Sequence, residues 1–220
     1  MLRLFQSNNM RNLAVAFCEN EPETRDPFKT STVIIQSFEL RYWLQMQTAR
    51  LTGISSNIDF QLPAAFLWKL YKCLTPEISD LERSPFERER MVWRLMRILD
   101  KSHSSYQDIA VYLQQEEKRN LRLYELSNEL ASLFDEYLMY RPDWVLDWES
   151  GNKISTPRDE EWQVSLWREL REDLGGKSRL HRAALHKLGM SKINRDAGLP
   201  WSRLSIFGIS SMPPLQIETF

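Results

Sequence analysis

Val33 to Trp68 reads VIIQSFELRYWLQMQTARLTGISSNIDFQLPAAFLW, a continuous apolar, β-branched run that passes directly into an aromatic-rich segment. A run of this kind fits a parallel strand buried on both faces. The segment after it, Phe38 to Leu51, places Leu40, Trp43, Leu44 and Gln47 in helical register. Polar residues, Gln36 and Ser37, stand at the joint. Ligands of open α/β sheets bind beyond the carboxyl ends of the strands, so this joint and the start of the next helix form a candidate ligand edge.

Working outward, Ile54 to Phe60 gives a further extended piece and Pro63 a helix start, so that Ala64 to Leu74 completes another strand and helix pair. Leu2 to Gln6 reads as a short strand ahead of a helix over Asn8 to Glu19, with the Ser-Asn-Asn sequence suited to its N-cap. Beyond Thr75 the strand signals vanish. Helices are expected near Pro85 to Leu99, Ser105 to Gln115, Lys118 to Tyr140, Pro142 to Trp148, Arg158 to Leu174 and Arg179 to Leu188. Gly151, Pro157, Gly175 and Gly176 act as stops and turns between them. Leu204 to Ile209 returns to strand composition, and Thr219 and Phe220 fall inside what reads as the next helix, as in a fragment of a longer protein. The fold class expected is α/β: a parallel sheet over 1–75, an inserted all-helical subdomain over 76–200, and a return to the α/β domain over 201–220.

Composition narrows the function. The chain has 220 residues, 42% of them hydrophobic, and eight tryptophans, which fits a packed globular protein. A formal charge of −1 leaves no overall basic field, so a nucleic-acid contact would need a local patch. Cys18 and Cys73 have no metal-like spacing and are expected as free, buried thiols of a reducing compartment. There is no apolar signal core and no run near the roughly 18 apolar residues of a membrane span, so a cytoplasmic location without membrane contact is expected.

Most catalytic patterns fail on spacing. A phosphate loop needs glycines and a Lys-Ser or Lys-Thr pair, whereas the first loop is Ser7 to Arg11 and the first glycine of the chain is Gly53. In LASLFDE, residues 130 to 136, Asp135 lies opposite the stripe of Leu126, Leu130, Leu133 and Tyr137, which reads as a solvated helix face rather than a metal-holding acid pair. Pro142, Asp143, Glu149 and Lys153 have the residue types of a nuclease site but the wrong spacing, and Asp143 suits a helix start on dipole grounds. His181 and His186 are five apart, which spoils a zinc-binding i, i+4 pair. DNA contact is better supported. Arg90, Arg94, Arg97 and Lys101 form one helical stripe that could face phosphates, though solvation is the default. Trp68, Phe66, Phe38 and Tyr42 could stack on unpaired bases; Trp43 reads as core.

Five blocks carry a more particular likeness: QSNNMRNL, VIIQSFELRYWLQM, GISSNIDFQLPAAFLW, LFDEYLMYRPDWVLDWE and FGISSMPP. Together they resemble the RecC family, the gamma subunits of exodeoxyribonuclease V, the RecBCD helicase-nuclease. The likeness is strongest in NIDFQLP and YRPDW.

The resemblance implies the first helicase-like domain of a superfamily 1 fold that has lost its ATP site, with its helical insertion. Such a region forms part of a tunnel for the unwound 3′-ended strand, inspected for the regulatory sequence Chi during double-strand break repair by recombination. The implied strand-contacting residues are Gln36, Leu62, Trp68, Leu133, Asp135, Glu136 and Arg141, with Arg182 the weaker match. Gln36 and Asp135 would read base edges, Trp68 would stack, and Arg141 or Arg182 would hold phosphate or base. No catalytic residue, metal or cofactor is implied in this region; ATP and Mg would be used by RecB-like and RecD-like partner subunits. The other partners implied are single-stranded and forked duplex DNA. Phe38, Tyr42 and Ser132 depart from the polar or acidic residues of well-known members, so the cognate signal would differ. The alternative is a scaffold that docks the motor and nuclease subunits without reading DNA.

Overall fold

The computed structural model describes residues 2–20, 30–102, 106–113, 118–152, 158–174, 180–192, 201 and 203–219. The chain is mixed α/β, mostly helical, with a small parallel sheet. It divides into two compact units, Met1–Lys69 with Ala197–Met212, and Leu70–Asp196 with Pro213–Phe220.

The first unit is built on β1 (Ser31–Ile35), flanked by β2 (Ile58–Gln61) and β3 (Leu204–Phe207) in the order β2-β1-β3, all parallel. Ile34 lies opposite Gln61 on one side and Ile206 on the other. As the central strand, β1 is covered on both faces, and Val33, Ile34 and Ile35 are buried. Val33 and Ile35 pack with Phe207 against α1 (Met10–Glu19) and α2 (Phe38–Thr52), through Ala14, Phe17 and Leu44. Trp43 stacks on Phe207 as part of this core.

Local chemistry sets the helix ends. Asn9 caps α1 by accepting from the Arg11 amide at 3.0 Å, and Ser37 caps α2 by accepting from Leu40 N–H at 3.3 Å. α2 stops at Gly53, in the left-handed region at φ 83°. Pro63 opens α3 (Pro63–Leu74), which buries Phe66, Leu67, Leu70 and Tyr71 along one stripe.

The described residues of the second unit beyond α3 contain a 3₁₀ turn at Pro76–Ile78 and then only helices. These are α4 (Arg88–Ser102), α5 (Gln107–Leu113), α6 (Arg119–Tyr140), α7 (Pro142–Ser150), α8 (Arg158–Leu174), α9 (Arg182–Lys192) and α10 (Pro214–Thr219). Their core gathers Leu95, Leu99, Leu130, Phe134, Leu138, Trp148, Trp167 and Leu170 around the long helix α6. α7 ends at Gly151, and the Arg168 guanidinium donates twice to the Trp148 carbonyl, at 2.9 and 2.6 Å, satisfying the last turn of that helix. Pro157, Gly175 and Gly176, expected as turns, lie outside the described residues, as do Lys153 and the expected helix start at Arg179.

Two expectations are corrected. Leu2 to Gln6 forms no strand: Leu2 and Leu4 are almost fully exposed, and Arg3 instead bonds Asn20 at the end of α1. A short apolar run is a strand only where a sheet edge receives it, and this segment is tied to a helix end. The cysteines are not the buried thiols expected: Cys73 is exposed in the last turn of α3, and Cys18 is only half-buried, its thiol donating to the Thr48 hydroxyl at 3.9 Å.

Gly208 follows β3 at φ 64°, and a Cβ built there would come within 2.7 Å of Leu40 Cδ2. Gly208→Ala should therefore lower stability by about 1–2 kcal/mol, read as a reduced urea midpoint at unchanged slope.

Candidate functional site

The implied strand-contacting residues fall into two groups, one in each unit. In the first, Gln36 follows β1 and Leu62 follows β2, and because Ile34 pairs with Gln61 in a parallel ladder both stand at the same carboxyl edge of the sheet. Gln36 is exposed and Leu62 half-buried. Trp68 is half-buried in the second turn of α3. Of the other proposed stacking residues, Phe38 and Tyr42 are exposed, but Phe66 is buried against Trp201, with ring centroids 4.8 Å apart, and offers no open face. Trp201, which also lies under the Lys69 ammonium, was not singled out from sequence.

In the helical unit, α6 carries Leu133, Asp135 and Glu136, and Arg141 stands at the junction of α6 and α7. Leu133 packs on the core, as its helical phase requires, while Glu136 is exposed and its charge adds to burial in raising the pKa of Tyr137. Asp135 is not on a solvated face. Its carboxylate pairs with the Arg182 guanidinium at the start of α9, and the two side chains are only 27% and 25% exposed. Arg182 also reaches Met139 Sδ at 4.0 Å. Arg141 pairs with Asp143 at 3.3 Å and lies 3.8 Å above the Trp144 ring, an arrangement that presents one guanidinium edge.

The expected arginine stripe is likewise partly neutralised. Arg94 and Arg97 both bond Asp173, at 3.1 and 2.5 Å, while Arg90 and Lys101 are exposed.

The residues with nuclease and zinc types have another task. Glu149 is nearly buried and accepts from His181 Nε2 at 2.8 Å and Trp167 Nε1 at 3.2 Å, with Arg171 beside it. His181 is wholly buried. His186, in α9, bonds Thr219 at 3.1 Å and Glu218 at 3.2 Å on α10. No group of three or more His, Cys, Asp or Glu able to hold a metal occurs among the described residues. The first loop does not fit a phosphate either: Ser7 and Asn9 side chains already accept from the Asn9 and Arg11 amides. Among the described residues no helix is long and apolar enough to cross a membrane.

The family model for the N-terminal domain of RecC matches residues 2–220. The chain belongs to the RecC family. Its relatives include RecBCD enzyme subunit RecC of Escherichia coli (strain K12), 34% identical, with 99% of this chain and 20% of that protein covered. The RecC subunit of Haemophilus influenzae is 33% identical over 97% of this chain and 21% of its own length. That of Mycolicibacterium smegmatis is 26% identical over 88% and 17%. The chain thus spans about a fifth of the length of these RecC relatives.

Burial alone would push the Glu149 carboxyl up, but the bond from His181, the Arg171 charge and the bond from Trp167 outweigh it and hold the pKa below the ordinary 4.5. A lowered folded pKa adds stability that is present above 4.5 and lost as pH falls through the folded value. Glu149→Gln should cost about 2 kcal/mol at neutral pH. The gap to the unaltered protein should close as pH drops below 4.5 in urea melts taken across pH.

Proposed function

We propose that this chain is a non-catalytic, DNA-reading region of a RecBCD-type complex, on a helicase-like frame without its own ATP site, working in the cytoplasm. It scans the unwound 3′-ended strand for a Chi-type signal, while RecB-like and RecD-like partners supply the ATP- and Mg-dependent motors and the nuclease. Family membership across residues 2–220 supports the placement in that complex. One observation carries the reading of bases: Asp135 and Arg182, far apart in sequence, meet as a pair that is still a quarter exposed.

Pairing bears on what such a site would recognise. An arginine already matched to a carboxylate is a poor counterion for a phosphate, because the nearby negative charge opposes the ligand's. The same pair presents donors and acceptors side by side, as a base edge does. The bond from Arg182 uses one of about four acceptor sites of the carboxylate. Asp135 with Arg182, and Arg141 with Asp143, are assigned to base edges, Gln36 to a further edge, Trp68 to stacking, and Leu62, Leu133 and Glu136 to shaping the path.

The scaffold reading draws on a different observation. Two of the four cations in the α4 stripe are spent on Asp173, which weakens the case for a phosphate track there.

Single-stranded DNA binding by the assembled complex, measured across a salt series, tests the proposal. Arg182→Ala should weaken binding to the cognate sequence about tenfold and leave the salt slope unchanged, whereas a lost phosphate contact would flatten it by about 0.7. Trp68→Ala combined with Asp135→Ala should abolish the response of degradation to Chi. A full Chi response in that double variant supports the scaffold instead.

A further inference from the structure

The pair Glu149 and His181 lies outside the residues assigned to DNA, yet both side chains are withdrawn from solvent, that of His181 fully and that of Glu149 almost so. His181 stands immediately before α9, and its backbone carbonyl accepts from Leu185 N–H at 2.9 Å. Its Nδ1 accepts from Ala184 N–H at 3.3 Å. The imidazole therefore acts as the N-cap of α9, at the position where Ser, Thr, Asp or Asn is usual. Because Nδ1 accepts, the proton of the neutral ring sits on Nε2, which donates to Glu149 Oε1 at 2.8 Å. The ring is held edge-on by Phe86 and Trp167, each with its centroid 5.5 Å away. Both ring nitrogens and the ring plane are thus specified.

What the linkage holds in place is the next residue. Arg182 opens α9, and its guanidinium crosses to Asp135 on α6. A long arginine side chain loses much rotamer freedom when fixed, so its pairing depends on where its backbone starts. The start is set one residue earlier, by an imidazole bonded to α7 through Glu149, and α7 follows α6 directly at Arg141. Rotation of the His181 ring would release the Ala184 amide and the Glu149 carboxylate together.

We propose that the buried Glu149 and His181 pair is a positioning element: it sets the first turn of α9 so that Arg182 meets Asp135 and the two present one composite edge to the DNA strand. The inference rests on the DNA-reading assignment of Asp135 and Arg182, but the positioning itself is measurable without DNA. Glu149 and His181 touch no strand; they act through Arg182.

The test is a double-mutant cycle on the full subunit, Asp135→Ala against Arg182→Ala, read from unfolding midpoints in the unaltered, His181→Asn and Glu149→Gln backgrounds. Asparagine caps helices well, so His181→Asn keeps an acceptor for Ala184 while losing the reach to Glu149. Glu149→Gln removes the charge that faces His181 and Arg171, which weakens the hold on the ring, and serves if the first background does not fold. In the unaltered background the pair should couple by about fivefold in the folding equilibrium, and in either altered background the coupling should fall toward onefold. A helix-capping role alone would leave that coupling intact, and undiminished coupling in the altered backgrounds overturns the proposal. Affinity of the assembled complex for single-stranded DNA separates the two layers. Collapse of the coupling with no effect of Arg182→Ala on affinity keeps the positioning and removes the DNA assignment of Arg182. Loss of affinity in Arg182→Ala with coupling intact in both backgrounds does the reverse.

Discussion

The helical unit is organised around one carboxylate taken out of water. Desolvating Glu149 costs several kcal/mol unless the charge is matched and hydrogen-bonded, and the helices around it supply that match. α8 brings the Trp167 indole and Arg171, and the residue before α9 brings His181. A charge in this position specifies geometry more than it stabilises: a shifted α9 would leave the buried imidazole without its acceptor and Glu149 without one of its donors. Arg168, one turn before Arg171 on α8, ties the end of α7 through the Trp148 carbonyl, so the two arginines hold neighbouring parts of α7.

The sheet of the other unit obeys a simpler constraint. A central parallel strand is covered on both faces, and β1 alone among the three strands is buried from its second residue to its last; β2 is half-buried throughout and β3 exposes Ile206. This is why Val33 to Ile35 could be recognised as a central strand from sequence. The same reasoning located the helices over Phe38 to Thr52, Arg119 to Tyr140 and Arg158 to Leu174 closely, since each combines long periodicity with a cap, proline or glycine at an end. It failed at Leu2 to Gln6. Strand formation there depends on an available partner edge, which the short run LRLFQ does not encode.

Side-chain pairing was far less legible. Helical phase placed Asp135 away from the main stripe, but α6 is packed on several sides, with Leu123, Ser127, Leu130, Ala131, Phe134 and Leu138 all buried, so the opposite side of one stripe is not water. The partner that occupies it, Arg182, is 47 residues away. Glu149 and His181 are separated by 32 residues, and their types and spacing in sequence suggest only fragments of metal sites. Residue type flagged each of them as able to carry charge or a ligand. Which charge meets which is decided by tertiary packing, and spacing along one helix says nothing about a partner on another.

Those long-range pairs alter the chemistry assigned to the cations. Unpaired, Arg94, Arg97, Arg141 and Arg182 would make a phosphate-binding surface, with affinity governed by salt. Each is instead set against a carboxylate: Asp173 for the first two, then Asp143 and Asp135. Four arginines set against three carboxylates grip a phosphate backbone less strongly than free cations would, which under the proposed function suits a strand that slides past. On the proposed reading such a surface would still discriminate, because a wrong base facing an oriented Arg and Asp pair leaves a donor or acceptor unmatched in a partly dry site. Weak hold and strict edge matching are compatible demands only if the pair is rigid before the strand arrives, and rigidity at Arg182 begins with the imidazole beside it.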